Sequence, residues 1–130
     1  GYLANPFPGA FERRLRVESV DPRIHFALNC GAESCPPIAA YTVGEIDRQL
    51  DWATEGYLDA HVEYDPDEGR ALVPRLFLWF RGDFGRKADI VDFLVRHEQL
   101  PPGANPKLSY REWDWSLNAR NFAESDPPER

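Results

Sequence analysis

The chain has 130 residues, a formal net charge of −7 and no run of lysine or arginine. This charge balance argues against binding to nucleic acid or to an anionic membrane surface. No stretch is long and apolar enough to cross a bilayer, so membrane insertion is not expected. At this length one domain is expected, and the two cysteines of the chain are too few for a disulfide framework.

The first half of the chain predicts two helices and a strand. "AFERRLRV" predicts one or two helical turns, and "RIHFALN" (residues 23–29) predicts an interior strand that follows Asp21-Pro22. "TVGEIDRQLDWATEGYLDAHV" predicts the main helix, with Thr42 as its N-cap and Glu45 completing a capping box.

The second half predicts a hairpin, two helices and a last strand. "HVEYD" and "RALV" flank a turn over residues 66–69, "PRLFLWFRGDFG" predicts a short buried helix, and "ADIVDFLVRHEQL" predicts the second main helix. "KLSYREWDWSLN" predicts a strand with Trp113, Trp115 and Leu117 on one face. We expect an α+β fold, in which a small mixed sheet packs with two main helices in a single domain over residues 1–120, and a disordered tail over residues 121–130.

His25, Cys30 and Cys35 lie within one short stretch and include both cysteines of the chain. If residues 23–29 are extended, His25 and Cys30 are about 16 Å apart at ~3.3 Å per residue and point to opposite faces. Zinc needs its ligands within about 2.3 Å of one point. We therefore expect no single metal ion to bridge the three residues, and no other cofactor is predicted.

Strand alternation assigns different environments to the residues of this stretch. Ile24, Phe26, Leu28 and Cys30 share one face, which we expect to be buried in the core. Cys30 then behaves as a small buried hydrophobe, the usual condition of a free cysteine. His25 lies on the opposite face, where it either lines a cleft or is hydrogen-bonded as a structural histidine.

Cys35 is the predicted nucleophile of the chain. Pro36 suits the first position of a short helical turn, which would place Cys35 at the N-cap, where backbone N–H groups favour a thiolate. His25 would then act as the base, and Asp114 would orient the imidazole as the third member of the set. A disulfide with Cys30 or a plain buried thiol is the alternative for Cys35, and an exposed strand aspartate is the alternative for Asp114.

Four segments together resemble one family: "DPRIHFALNCGAESCPPI", "LFLWFRGDFG", "ADIVDFLV" and "YREWDWSLN". They are similar to the bacterial and plant family catalogued as domain of unknown function 547, over residues 11–118. Members carry an earlier helix that reads roughly Trp-Ile-Asn-x-Tyr-Asn, and this sequence has no such segment. The resemblance therefore implies the later portion of the domain, with an exposed apolar surface covered in a homo-oligomer or by a second chain that supplies the missing segment.

Two functions from different classes follow from these observations. The order of helix and histidine strand in the family is similar to that of papain and transglutaminase-like thiol enzymes, which implies a thiol-dependent hydrolase or acyl transferase with Cys35, His25 and Asp114 as its catalytic residues. The alternative is a non-catalytic binding or assembly domain whose cysteines are structural or redox-sensitive. An oxidised or unreactive Cys35 favours the binding domain.

Overall fold

Helices and strands both occur in residues 9–122, the part of the chain that the computed structural model describes. The helices and strands are, in chain order, α1 (Ala10–Leu15), a 3-10 helix (Pro22–Phe26), α2 (Ile46–His61), β1 (Glu63–Asp65), β2 (Arg70–Val73), α3 (Leu76–Trp79), α4 (Arg81–Phe84), α5 (Lys87–Arg96) and β3 (Lys107–Tyr110). The three strands form one sheet in the order β1-β2-β3, antiparallel between β1 and β2 and parallel between β2 and β3. The predicted α+β class is confirmed.

The hydrophobic core lies between α2, α5, the 3-10 helix and one face of β2. Ala71 and Val73 are fully buried, whereas Arg70 is exposed, as the alternation of a strand requires. Phe26 is fully buried at the centre of the core. Its ring centroid lies 5.6–6.0 Å from the ring centroids of four aromatic residues: Tyr57, Phe77, Phe84 and Phe93.

The predicted hairpin, both main helices and the short helical turns are present, but the start of α2 was predicted wrongly. The helix begins at Ile46 after Glu45, and Thr42 is not its N-cap. The Thr42 N–H group donates to Gln49 Oε1 at 2.9 Å, and the Glu45 carboxylate accepts from Arg48 Nε at 2.8 Å. In the expected capping box the Glu45 carboxylate would accept from the Thr42 N–H group. In the structure each of these two groups bonds to a different partner.

The predicted strand over residues 23–29 is wrong, because this segment contains the 3-10 helix. Asp21 caps the helix by accepting the Arg23 N–H at 3.0 Å, and Pro22 suits its first position. The Arg23 guanidinium bonds to Asp47 and Asp51 of α2, both at 2.7 Å, and holds the segment against that helix. His25 and Phe26 are consequently both buried, and the predicted alternation of faces does not occur.

The predicted last strand is also shorter than expected. The strand β3 ends at Tyr110, and Trp115 and Leu117 are exposed. Residues 114–118 bond instead to the loop that contains the cysteines (the cysteine loop, residues 27–45). Glu33 N–H donates to the Ser116 carbonyl at 2.8 Å, and Asn118 N–H donates to the Gly31 carbonyl at 2.9 Å. After β3 the chain therefore leaves the sheet and forms hydrogen bonds with that loop.

The contacts of this last segment continue to the end of the described residues. Ile38 N–H donates to the Asn121 carbonyl at 2.8 Å, and Ile38 pairs with Phe122 in an isolated bridge. The remainder of the predicted tail, residues 123–130, lies outside the described residues. Within residues 9–122, none of the helices has the length and apolar character needed to span a membrane.

Candidate functional site

Cys30 and Cys35 are joined by a disulfide, which was one of the alternatives that the sequence left open. Cys30, which was predicted to be buried in the core, is exposed, whereas Cys35 is only 3% exposed. The chain turns back between them: Gly31 has a φ of 84°, and the Cys35 N–H donates to the Ala32 carbonyl at 3.0 Å. This turn brings Cys35 inward and leaves Cys30 at the surface.

The predicted helical turn after Cys35 is absent, so Cys35 is not an N-cap. Residues 36–39 are not helical, because Ile38 pairs with Phe122 and the Cys35 carbonyl accepts from Asn121 Nδ2 at 2.7 Å. A different donor faces the sulfur. The Cys30 N–H group lies 3.1 Å from Cys35 Sγ and donates to it.

A cleft of about 440 Å³ lies between the cysteine loop and helix α2. One face of α2 supplies six lining residues: Trp52, Ala53, Gly56, Tyr57, Ala60 and His61. The other lining residues are Phe26, Glu33, Cys35, Pro37, Ala39, Tyr41, Asn118 and Asn121. The small side chains on α2 leave the space open, and the aromatic rings make most of its surface apolar.

Tyr57 and His61 connect α2 to the cysteine loop. The Tyr57 hydroxyl donates to the Ser34 carbonyl at 2.7 Å, and the His61 ring stacks on the Tyr57 ring with centroids 4.1 Å apart. His61 Nδ1 lies 2.8 Å from the Tyr57 carbonyl, which can only accept, so Nδ1 carries the proton. Burial lowers the pKa of His61 and favours the neutral ring. Nε2 of that neutral ring holds a lone pair that can accept a hydrogen bond or a proton.

Tyr41 contributes a hydroxyl group to the lining of the cleft. Its hydroxyl is buried and has no partner among the described residues. Burial also raises the pKa of Tyr41, so the phenol is neutral at ordinary pH. A buried hydroxyl without a partner costs about 1–3 kcal/mol, so an acceptor that reached it would regain part of that free energy.

His25 pairs with Asp83 rather than with Asp114. Its Nε2 is 2.9 Å from Asp83 Oδ2, and the side chain is 8% exposed. The imidazole stacks on Phe80 with centroids 3.9 Å apart and also contacts Phe84. His25 is not among the described residues that line the cleft beside Cys35.

Asp114, the predicted orienting carboxylate, is exposed and bonded within its own segment. Its Oδ1 accepts from Ser116 Oγ at 2.6 Å and from Ser116 N–H at 2.8 Å, and these bonds lower the pKa of Asp114. Cys35, His25 and Asp114 therefore each have a separate partner in the structure. Among residues 9–122 no group of three or more His, Cys, Asp or Glu side chains is placed to hold a metal ion.

Asp83, Tyr41 and His61 were not predicted from the sequence as residues of the site. Asp83 had no local signal, because its partner lies 58 positions earlier in the chain. A signal for His61 was available: it follows Tyr57 by one helical turn, on a face that also carries Ala53, Gly56 and Ala60. Small residues on one face of an otherwise bulky helix indicate either close packing or a cleft.

The two partly buried histidines predict a pH-dependent stability. Burial lowers the pKa of His61 and of His97 in the folded chain. The unfolded chain then binds more protons below its histidine pKa of about 6.5, so the free energy of unfolding should fall as the pH drops from 7 toward 5. Urea unfolding at a series of pH values measures this slope.

The matched variant for this prediction is His61→Gln/His97→Gln, which should show a flatter slope between pH 7 and 5 than the wild-type chain. A slope equal to that of the wild type would mean that other groups cause the pH dependence. Asp21, whose pKa the Arg23 side chain lowers, contributes only below about pH 4 and does not affect this window.

The fold and the site define an α+β structure with a disulfide-walled cleft and, separately, a buried histidine that pairs with an exposed aspartate. The model of the family described as "Protein of unknown function, DUF547" matches residues 3–58, the early part of the chain. The match covers α1, the cysteine loop and most of α2, and three of the four motifs that suggested the family lie beyond it.

No curated protein and no solved structure matches the chain. The similarity to papain and transglutaminase-like enzymes therefore has no support from known structures.

Proposed function

We propose that this chain is a non-catalytic binding domain whose cleft takes a small planar molecule and whose cysteines are structural or redox-sensitive. The observation that carries the proposal is the cleft of about 440 Å³ beside the Cys30–Cys35 disulfide. Ligand sites are concave, mostly apolar and about 300–1,000 Å³ in volume. The disulfide occupies the sulfur that a thiol enzyme would need as its nucleophile.

The lining of the cleft indicates the class of ligand. The rings of Tyr41, Trp52 and Tyr57 favour a planar apolar body, and the Tyr41 hydroxyl favours a hydrogen-bond acceptor. The Glu33 carboxylate disfavours an anion, since like charges about 4 Å apart in water repel by about 1 kcal/mol. We therefore expect neutral and cationic aromatic molecules to bind better than anionic ones of the same shape.

Three indoles that differ in charge test this proposal: indole, tryptamine and indole-3-acetate. Saturation-transfer NMR should detect binding of the first two, and about fivefold weaker binding of the anion, the ratio that ~1 kcal/mol predicts. Gly56→Leu should weaken the binding at least tenfold by filling the cleft. A Cβ at Gly56 meets nothing within 4 Å, so the first atom of the new side chain fits without a clash.

Gly44→Leu is the matched control, because Gly44 is exposed, does not line the cleft, and a Cβ at this position also meets nothing within 4 Å. It should bind the three probes as the wild-type chain does. Absence of binding to the wild type, or equal binding by Gly56→Leu, would contradict the proposal.

A thiol-dependent hydrolase or acyl transferase is the second candidate. Cys35 would be its nucleophile after reduction, His25 its base and Asp114 its orienting acid. The observation in its favour is the Cys30 N–H that donates to Cys35 Sγ at 3.1 Å, because such a donor stabilises a thiolate. His25 bonds to Asp83 and the Asp114 carboxylate bonds to Ser116, which argues against a catalytic triad of Cys35, His25 and Asp114.

The variant Cys30→Ser tests the enzyme directly, since it leaves Cys35 as the sole thiol and keeps the backbone donor. If the enzyme proposal holds, the rate of iodoacetamide alkylation should rise with a midpoint well below the ordinary thiol pKa of about 8.5. Adding His25→Gln or His61→Gln identifies the base, because loss of the true base should raise that midpoint. A midpoint at or above ~8.5 in Cys30→Ser would exclude an activated thiol.

Association with another chain is proposed for the surface formed by α1 and the residues that follow it. Helix α1 has no buried residue, and Phe11, Leu15 and Val17 are between 63% and 70% exposed. Adjacent exposed apolar side chains of this kind mark interaction surfaces. Sedimentation velocity should show concentration-dependent association that Phe11→Ser/Leu15→Ser removes, whereas a wild-type monomer at all concentrations would contradict it.

A further inference from the structure

The two sulfurs of the disulfide are presented very differently. Cys30 is exposed, whereas Cys35 is 3% exposed. Thiol–disulfide exchange requires a thiolate to approach one sulfur, and both the rate and the site of attack depend on access. The only sulfur of this disulfide that belongs to an exposed residue is that of Cys30.

The leaving sulfur is stabilised by the same loop. The Cys30 N–H group donates to Cys35 Sγ at 3.1 Å, and a hydrogen bond to sulfur favours its anionic form. In exchange reactions, the thiol with the lower pKa leaves faster. The exposure of Cys30 and the hydrogen bond to Cys35 Sγ therefore favour the same reaction, in which Cys30 is attacked and Cys35 leaves.

We propose that Cys30 is the site of attack in thiol–disulfide exchange with a dithiol reductant, and that Cys35 is the leaving thiolate. The attacking thiolate forms a bond to Cys30 Sγ, the Cys30–Cys35 bond breaks, and its electron pair passes to Cys35 Sγ. The second thiol of the reductant then attacks the mixed disulfide and releases the Cys30 thiol. The reductant becomes a disulfide, and the chain gains two electrons and two protons.

Reduction changes the cleft, because Cys35 lines it and the disulfide holds the loop that forms its wall. A thiol with no covalent partner then faces the space beside His61, whose neutral ring offers Nε2 as an acceptor. This consequence rests on the proposed binding function. The exchange step itself holds whether or not the cleft binds a ligand.

Trapping the first step on the wild-type chain tests the direction of attack. The folded protein is treated with 2-mercaptoethanol, a neutral monothiol, and the reaction is quenched in acid at early times. Cleavage after Glu33 separates the two cysteines, which lie on either side of it, and mass spectrometry locates the adduct. We expect at least tenfold more adduct on Cys30 than on Cys35.

The same reaction in concentrated guanidinium provides the reference, in which the two sulfurs are equally accessible and the ratio should approach one. A folded-state ratio equal to this reference, or an excess of adduct on Cys35, would overturn the proposal. Adduct that forms only at the rate of global unfolding would also overturn it. None of these outcomes depends on indole binding, so failure of the cleft proposal is recognised separately.

Discussion

Replacing Phe26 by alanine is expected to lower the free energy of unfolding by about 3–5 kcal/mol, the usual cost of removing a fully buried phenylalanine. The Phe26 ring is fully buried and contacts rings from α2, α3, α4 and α5. Its removal leaves a cavity where these helices meet, and partial collapse cannot refill it. Urea or guanidinium unfolding measures the loss.

Leu28→Ala is the control from the same segment. Leu28 is 65% exposed, so its truncation should change the free energy of unfolding by no more than about 0.5 kcal/mol. A buried strand over residues 23–29 would instead require large losses at both positions. Similar losses for Phe26→Ala and Leu28→Ala would therefore argue for the strand and against the 3-10 helix.

The second large effect is expected at His25, where alanine should cost about 2–4 kcal/mol. A hydrogen bond to a charged group contributes about 1.5–3 kcal/mol, and an aromatic pair adds about 0.5–1.5 kcal/mol. His25 makes both interactions, the first with Asp83 and the second with Phe80. The result would identify His25 as a residue of the folded scaffold, independent of any activity.

A double-mutant cycle between His25→Ala and Asp83→Ala isolates the pair, with an expected coupling of about 0.5–3 kcal/mol for residues in direct contact. The matched carboxylate control is Asp114→Ala, because Asp114 is exposed and, among the described residues, its carboxylate accepts hydrogen bonds from Ser116 alone. The cycle of His25 with Asp114 should show no coupling. A coupling of His25 to Asp114 and none to Asp83 would instead support the arrangement predicted from the sequence, in which Asp114 orients His25.

Local patterns in the sequence were sufficient for the α+β class, the hairpin and the two main helices. These elements depend on neighbouring residues: the turn over residues 66–69 sets the hairpin, and apolar periodicity marks α2 and α5. Burial of Phe26 was also predictable, because a large aromatic residue in an apolar run is buried in either a strand or a helix.

Only the tertiary structure decided what the residues of the candidate site contact. Arg23 bonds to Asp51, 28 positions later, and His25 to Asp83, 58 positions later. The alternation expected for residues 23–29 failed because contacts with α2 and the Asp21 cap stabilise a 3-10 helix there. Such pairings depend on how distant segments pack, and no local pattern encodes them. The cleft has the same origin, since its walls come from the cysteine loop, α2 and residues 118–121.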